Sequence, residues 1–490
     1  MSSTAAPFGF RFSGISLQDG RALRTSLLLS VVIGFSYFLQ RGHDDQRLLQ
    51  LGFLAVFGIA VLFSRRTRGV AIASAPGVLP WLAGVFFLLG AVSSVAAMSP
   101  RHALLEVAIF LMLFLLARCV AGEIAGDTVG DTARYLPLVL KACAFGSLLY
   151  TIEIAVIYGT ALSLGAQPSV EDFTPGFSNI RFLNHAQTIS LPLLALLCLL
   201  TKPGQKAKWG YLALTACVWT LLFVTSGRGT FVGLLAGTAG ALLMRGRHAR
   251  AFCKTMLVTG LAGMAIYIVF FTLIPLAAGL EPFGLVGQVA QRTAADPTSL
   301  RGPLWLRAIA LIGDHPWLGV GPLHYAHSAI DGQLPAHPHD WILQIGAEWG
   351  LPALLCLLAA IALSMRRLVG TASRISADDH ANQNMLSAWI AIGLAILVDG
   401  LVSGSIVMPV SQLWIALYIG CATGWAMSID APHRLQRPPR LRRDVAAVLV
   451  LLALGAVATG IGPDLGRLGA TAPKEDHGRN NPRIWIDGYF

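Results

Sequence analysis

Apolar runs long enough to cross a bilayer recur along almost the whole chain, and no other feature limits its fold as severely. A helix needs about 20 apolar residues to span roughly 30 Å of hydrocarbon, and inside that layer each backbone N–H and C=O must find its partner within the protein. Thirteen candidate spans are read on this basis. The first eight are Thr25–Gln40, Leu48–Ser64, Leu79–Met98, Ala103–Ala121, Tyr135–Gly159, Ala186–Leu200, Trp209–Val224 and Thr230–Met244. The others are Met256–Gly279, Trp341–Ser364, Leu386–Met408, Leu413–Met427 and Val445–Ile461. Only 12% of residues are charged, about half of what coats a soluble domain. A soluble enzyme, a nucleic-acid binder and a disordered scaffold are thereby excluded. The expected fold is an all-α polytopic membrane protein of about 12–13 transmembrane helices, with a long outward loop containing short helices.

The formal charge of +11 resembles a polyanion-binding signal, but its distribution follows the positive-inside bias. With residues before Thr25 cytoplasmic, alternate loops carry Arg65, Arg66 and Arg68; Lys202, Lys206 and Lys208; and Arg245, Arg247, Arg250 and Lys254. Arg366, Arg367 and Arg374 follow, then Arg434, Arg437, Arg440, Arg442 and Arg443. The opposite face receives two long loops, Thr160–His185 and Leu280–Asp340, together with the tail Gly462–Phe490. The first span lacks a small-x-small cleavage site and reads as a retained helix. No cysteine falls in an outward loop, so an oxidising compartment would find nothing to bridge. No glycine-rich loop followed by Lys and Ser or Thr suggests a nucleotide-driven pump, and the His337–Asp340 run lacks an acidic partner segment for a metal.

Chemistry is therefore sought in polar groups at the outward edge. Gly176–Gln187 brings Arg181, Asn184 and His185 to the start of a span. The turn Thr225–Thr230 holds Arg228 between two glycines, and Ser299–Arg307 brings Arg301 to the start of an amphipathic helix. A glycine-rich stretch, Pro316–Gly321, and the run Ala336–Asp340, with His337 and His339, complete the set. Guanidinium groups suit forked recognition of phosphate oxygens, and a histidine can take a proton from a hydroxyl near neutrality. A lone arginine at a span edge more often anchors the helix by snorkelling, and Arg292 and Arg307 fit that class. Arg228 does not, because flanking glycines let backbone approach a ligand. Glu106, Glu153 and Asp399 are intramembrane acids and thus functional suspects; Glu106 and Glu153 equally suit pairing with a lysine or arginine inside the bundle. Glu348 can orient a polar network or line a wet cavity.

In order and placement these segments resemble the O-antigen ligase and polymerase superfamily of bacterial envelopes. The resemblance rests on Phe177–Gln187, Ser226-Gly227-Arg228-Gly229, Arg301 to Gly321, and His337 to Gly350, with Asp340 where the family usually has Asn. It covers roughly 160–368, which divides the chain into N-terminal helices (1–159), a ligase-like core (160–368), C-terminal helices (369–461) and an outward tail (462–490). It implies a GT-C-like glycosyltransferase that takes a glycan from undecaprenyl pyrophosphate at the periplasmic face of the inner membrane. Ligases of the family deliver it to lipid A–core oligosaccharide, polymerases to another carrier-linked chain, and protein ligases to a Ser or Thr hydroxyl. Neither a metal ion nor a nucleotide sugar is implied, and the expected course is a single inverting displacement. His337, Arg228 and Arg301 are the expected catalytic residues; Arg181, Asn184, His185, His339 and Glu348 are expected to bind substrate. The competing class is a lipid-linked glycan transporter, which would favour repeated halves and polar groups at mid-membrane; neither stands out in the sequence. The aromatic tail Asn480–Phe490 falls outside the family pattern and is expected to rest on the membrane rather than dock beside the site.

Overall fold

The computed structural model describes residues 42–63, 77–126, 135–166, 169–281, 287, 301–327, 335–430, 440–466 and 483–486. Regular structure among the described residues is helical, with no strand. Eleven of its stretches are long and apolar enough to cross a membrane. The span expected at Thr25–Gln40 lies outside the described residues.

We number the helices α1 (His43–Phe63), α2 (Leu79–Ala96), α3 (Pro100–Gly126), α4 (Tyr135–Ser163), α5 (Ile180–Leu200), α6 (Lys206–Thr225) and α7 (Arg228–Arg245). Then follow α8 (Arg250–Ile268), α9 (Arg301–Asp314), α10 (Trp341–Trp349), α11 (Leu351–Gly370), α12 (His380–Asp399), α13 (Pro409–Asp430) and α14 (Arg440–Leu465). The stretch Arg228–Ala277 is helical over 50 residues, which as one rod would measure about 75 Å, more than twice the hydrocarbon core. It folds back instead at Gly246, whose φ of +53° is one that glycine adopts without strain. The Cys253 thiol lies 3.7 Å from the Thr238 carbonyl across the resulting hairpin.

Helix α5 forms the centre, buried along nearly its whole length and packed against α4, α6, α7, α8, α12 and α13. Close backbone approach is built from small residues, as is usual where lipid offers no hydrophobic drive between helices. Gly233 and Gly237 of α7 lie on the α12 backbone, and Gly420 and Gly424 of α13 lie on α3. The lysine- and arginine-rich turns after α5, α7 and α11 collect at one end of this bundle. The starts of α5 and α7, the end of α12 and the short helices α9 and α10 collect at the other.

Candidate functional site

The residues that carry the site begin with Ala336–Asp340, which runs into α10. Asp340 is the N-cap: its Oδ1 accepts from the Ile342 and Leu343 amides at 2.8 and 3.0 Å. Orphan amides of a helix's first turn lie within reach of such a capping carboxylate. Gln344 N–H bonds the Asp340 backbone carbonyl at 2.9 Å. Immediately before the cap, His339 has φ +56°, a left-handed conformation that costs a non-glycine residue roughly 1–2 kcal/mol. That backbone turn places the His339 ring edge-on to His337, with centroids 4.1 Å apart.

His337 is 2% exposed, and its Nδ1 is buried with no hydrogen-bond partner in the protein. Its ring rests on Gly404, where a Cβ would stand 2.5 Å from the imidazole Cε1. Helix α9 covers the same segment, with Trp305 Nε1 donating to the Pro338 carbonyl at 3.1 Å. Burial holds the His337 imidazole well below its ordinary range, and the neighbouring His339, Arg483, His185 and His43 push the same way. His339 is lowered to about 3, by burial and then by Arg181, Arg301 and His185. Both imidazoles are therefore neutral near pH 7; Arg181 and Arg301 act on His339, Arg483 and His43 on His337, and His185 on both. Arg301 opens α9 and donates from Nη2 to the Val402 carbonyl at 2.7 Å. Arg181 is exposed in the first turn of α5, whose cap is Asn179.

The expected single span Trp341–Ser364 is two helices. It breaks at Gly350, whose φ is +83°, and Pro352 falls in the first turn of α11, where a missing N–H costs nothing. The glycine-rich stretch after α9 explains the break. Val320 and Gly321 amides bond the Ala347 and Glu348 carbonyls at 2.9 and 3.0 Å, and the Leu351 amide bonds Pro316 O at 2.8 Å. Backbone from 316–321 thus satisfies the last carbonyls of a nine-residue helix, which would otherwise be stranded away from water. Trp349 anchors that helix end by stacking on Phe86 at 4.6 Å.

Asn184 takes a bracing position rather than an open one. Its Nδ2 donates to Thr225 Oγ1 at 2.7 Å and Gln187 Oε1 at 2.9 Å, while its carbonyl accepts from Thr230 at 3.0 Å. Gly227 sits so close to this amide that a Cβ there would be 2.6 Å from its Cγ. The turn it holds contains Ser226 at φ +50° and presents Arg228, exposed at the first position of α7. Behind that turn, Thr188 donates to Asp399 Oδ2 at 2.8 Å, and Gly229 abuts Asp399 Oδ1. Asp399, suspected from the sequence as an intramembrane acid, so joins the outer ends of α5, α7 and α12.

Glu348 meets a partner that sequence reasoning missed. Arg483 Nη2 lies 2.6 and 2.5 Å from its two carboxylate oxygens, and 3.0 and 3.2 Å from those of Glu106 on α3. The Tyr325 amide donates to Glu348 Oε1 at 3.2 Å. Burial, with Glu106 beside it, pushes the Glu348 carboxyl up, and Arg483 opposes that shift. Residues 483–486 thus dock in the bundle instead of resting on its surface. Arg47 of α1 grips their backbone, donating to the Arg483 and Ile484 carbonyls at 3.1 and 3.3 Å. Asp44 Oδ1 accepts from the Ile486 amide at 2.7 Å, and Trp485 Nε1 donates to Asp464 at 3.1 Å. The available signal was two intramembrane acids, Glu106 and Glu348, since such acids are held by a partner.

An all-α polytopic membrane protein with a buried neutral histidine pair, within the electrostatic reach of Arg181, Arg301 and Arg483, is the class defined by fold and site. Residues 212–358 match a family model described as "O-Antigen ligase", a stretch that contains Arg228, Arg301, His337, His339 and Glu348. A protein named "O-antigen ligase" from Pseudomonas aeruginosa is 28% identical over 214 residues, covering 43% of this chain and 45% of that protein. The chain thus spans less than half of that relative's length. Residues 212–358 are thus similar to the O-antigen ligase family.

Proposed function

We propose that the protein is a metal-independent, inverting membrane glycosyltransferase that moves a glycan from undecaprenyl pyrophosphate to an acceptor hydroxyl. The acceptor most consistent with the family is lipid A–core oligosaccharide, and the site faces the periplasm from the inner membrane. The observation that carries the reading is the neutral, buried His337, with an unpartnered Nδ1, packed against His339, on which Arg181 and Arg301 act.

In this reading His337 takes the proton of the acceptor hydroxyl as its oxygen attacks the anomeric carbon. The bond from that carbon to the pyrophosphate oxygen breaks, and the charge left on the carrier falls to Arg301, Arg181 and Arg228. Preorganised cations that meet charge as it develops are worth most in a site from which water is excluded. Arg301 is preorganised by its bond to Val402 O, and Arg228 by the glycine turn that Asn184 braces. His339 and His185 line the approach. Glu348 acts at a distance, through the helix that carries the His337 segment.

The test is reconstitution with carrier-linked glycan and three acceptors: lipid A–core, a second carrier-linked glycan, and a periplasmic protein. Transfer to the core lipid, lost in H337A, is the expected result. Transfer only to the second or third acceptor would make the protein a polymerase or a protein ligase. Movement of carrier lipid across vesicles without any glycosidic bond formation would make it a transporter.

A further inference from the structure

Two walls enclose His337, and neither is anchored by the ligase-like core alone. One wall is the 400–408 turn, where Gly404 lies under the imidazole and Gly400 O accepts from the Trp341 amide at 3.1 Å. The other is α10, which continues directly from the His337 segment and ends at Glu348 and Trp349. The Arg483 segment reaches both. Its guanidinium is clamped on Glu348 at 2.5 Å, and its backbone carbonyls are held by Arg47. Arg47 in turn donates to Val407 O at 2.6 Å and to Gln412 Oε1 at 2.8 Å. Val407 N–H bonds Gly404 O at 2.9 Å, which closes the path back to the imidazole.

We propose that Arg483 is a positioning residue for glycan transfer: its segment ties α10 to the 400–408 turn and thereby fixes the aim of His337. The assignment rests on the reading of His337 as the acceptor-side base. Both arginines are 1% exposed, and a charge buried so completely is retained only with well-made partners. Glu106 on α3 and Glu348 on α10 both meet the Arg483 guanidinium, which is thus a keystone between the two helices. A mere surface tether needs no such desolvated cation. Geometry held by supporting groups matters because a misplacement of about 1 Å at the reacting groups can cost roughly 100-fold in rate.

The assay compares wild type, H337A, R483Q, R483K and R483Q/E106Q, with carrier-linked glycan as donor and lipid A–core as acceptor. R483Q is expected to lower kcat by about 10-fold or more while KM for the donor stays unchanged. His337 faces His339, His185, His43 and Arg483, so loss of the only permanent cation among them favours its protonated form. The acid limb of the R483Q kcat profile therefore moves to higher pH, a change that loss of stability alone does not produce. R483K keeps the charge on a shorter, differently shaped head group, and is expected to keep the wild-type limb with an intermediate kcat. R483Q/E106Q removes one of the two carboxyl groups left facing each other without the guanidinium, and is expected to recover melting temperature but not kcat. R483Q with wild-type kcat and pH profile would overturn the assignment. If R483Q fails to fold, the double variant decides: recovery of both stability and kcat overturns the proposal, and stability without kcat supports it. Transfer that survives in H337A refutes the functional reading itself, whatever Arg483 does.

Discussion

Gly404→Ala tests the His337 geometry with a single methyl group. Gly404 is outside the positive-φ glycines, so alanine meets no conformational barrier there and the effect is steric alone. The added Cβ would stand 2.5 Å from His337 Cε1 and 3.0 Å from Nε2. Carbon atoms settle at about 3.5–4.0 Å, so the ring must retreat by roughly 1 Å, with the His339 ring already 4.1 Å from its centroid. Overpacking of this kind costs about 1–3 kcal/mol, which the bundle tolerates, but a shift of that size can lower the transfer rate by up to about 100-fold. The expected outcome is a folded protein that binds carrier-linked glycan normally and transfers it poorly. Single-turnover transfer and donor binding on the same detergent-purified sample separate the two. Wild-type turnover in G404A, with folding intact, would refute the claim that ring placement limits the reaction.

Replacing Arg301 or Arg228 by lysine keeps the charge but loses the fork, so each should cost about 1.5–3 kcal/mol, or one to two powers of ten in kcat/KM; full activity in both lysine variants would end the clamp assignment. Because burial lowers His337 well below its ordinary range, the basic form persists as pH falls through about 6.5, and activity is lost only at more acidic pH. A kcat profile with its acid limb at the ordinary histidine value would contradict that environment. For orientation, a cysteine at Ser178 should react with a membrane-impermeant thiol reagent in spheroplasts, whereas cysteines at Ala207 or Ser373 should not. The native thiols, buried or half-buried, give the background, and the reverse labelling pattern would put the site on the cytoplasmic side.

Hydropathy determined the helical class because a lipid-embedded backbone has no water to bond, and within a bilayer long apolar runs have almost one solution. The span boundaries follow from the same physics wherever the helix is uninterrupted, as in α2, α6 and α13. They fail at Trp341–Ser364, where Gly350 and the carbonyl caps from 316–321 cut one apolar run into two helices. Hydropathy is blind to that break, since both halves are equally apolar. The residue types suited to an anion clamp and a base were also readable, because Arg, His and Gly at helix mouths have few other uses together. Which of them converge was not. Arg301, Arg181 and His185 come near enough to act on His339, which packs on His337, whereas Asn184 turns inward to hold a glycine turn. Only tertiary structure could bring Arg483 to Glu106 and Glu348, across 377 and 135 residues of sequence. A buried ion pair leaves no periodic trace in either strand of sequence; its energy exists only once packing has removed the water between the charges.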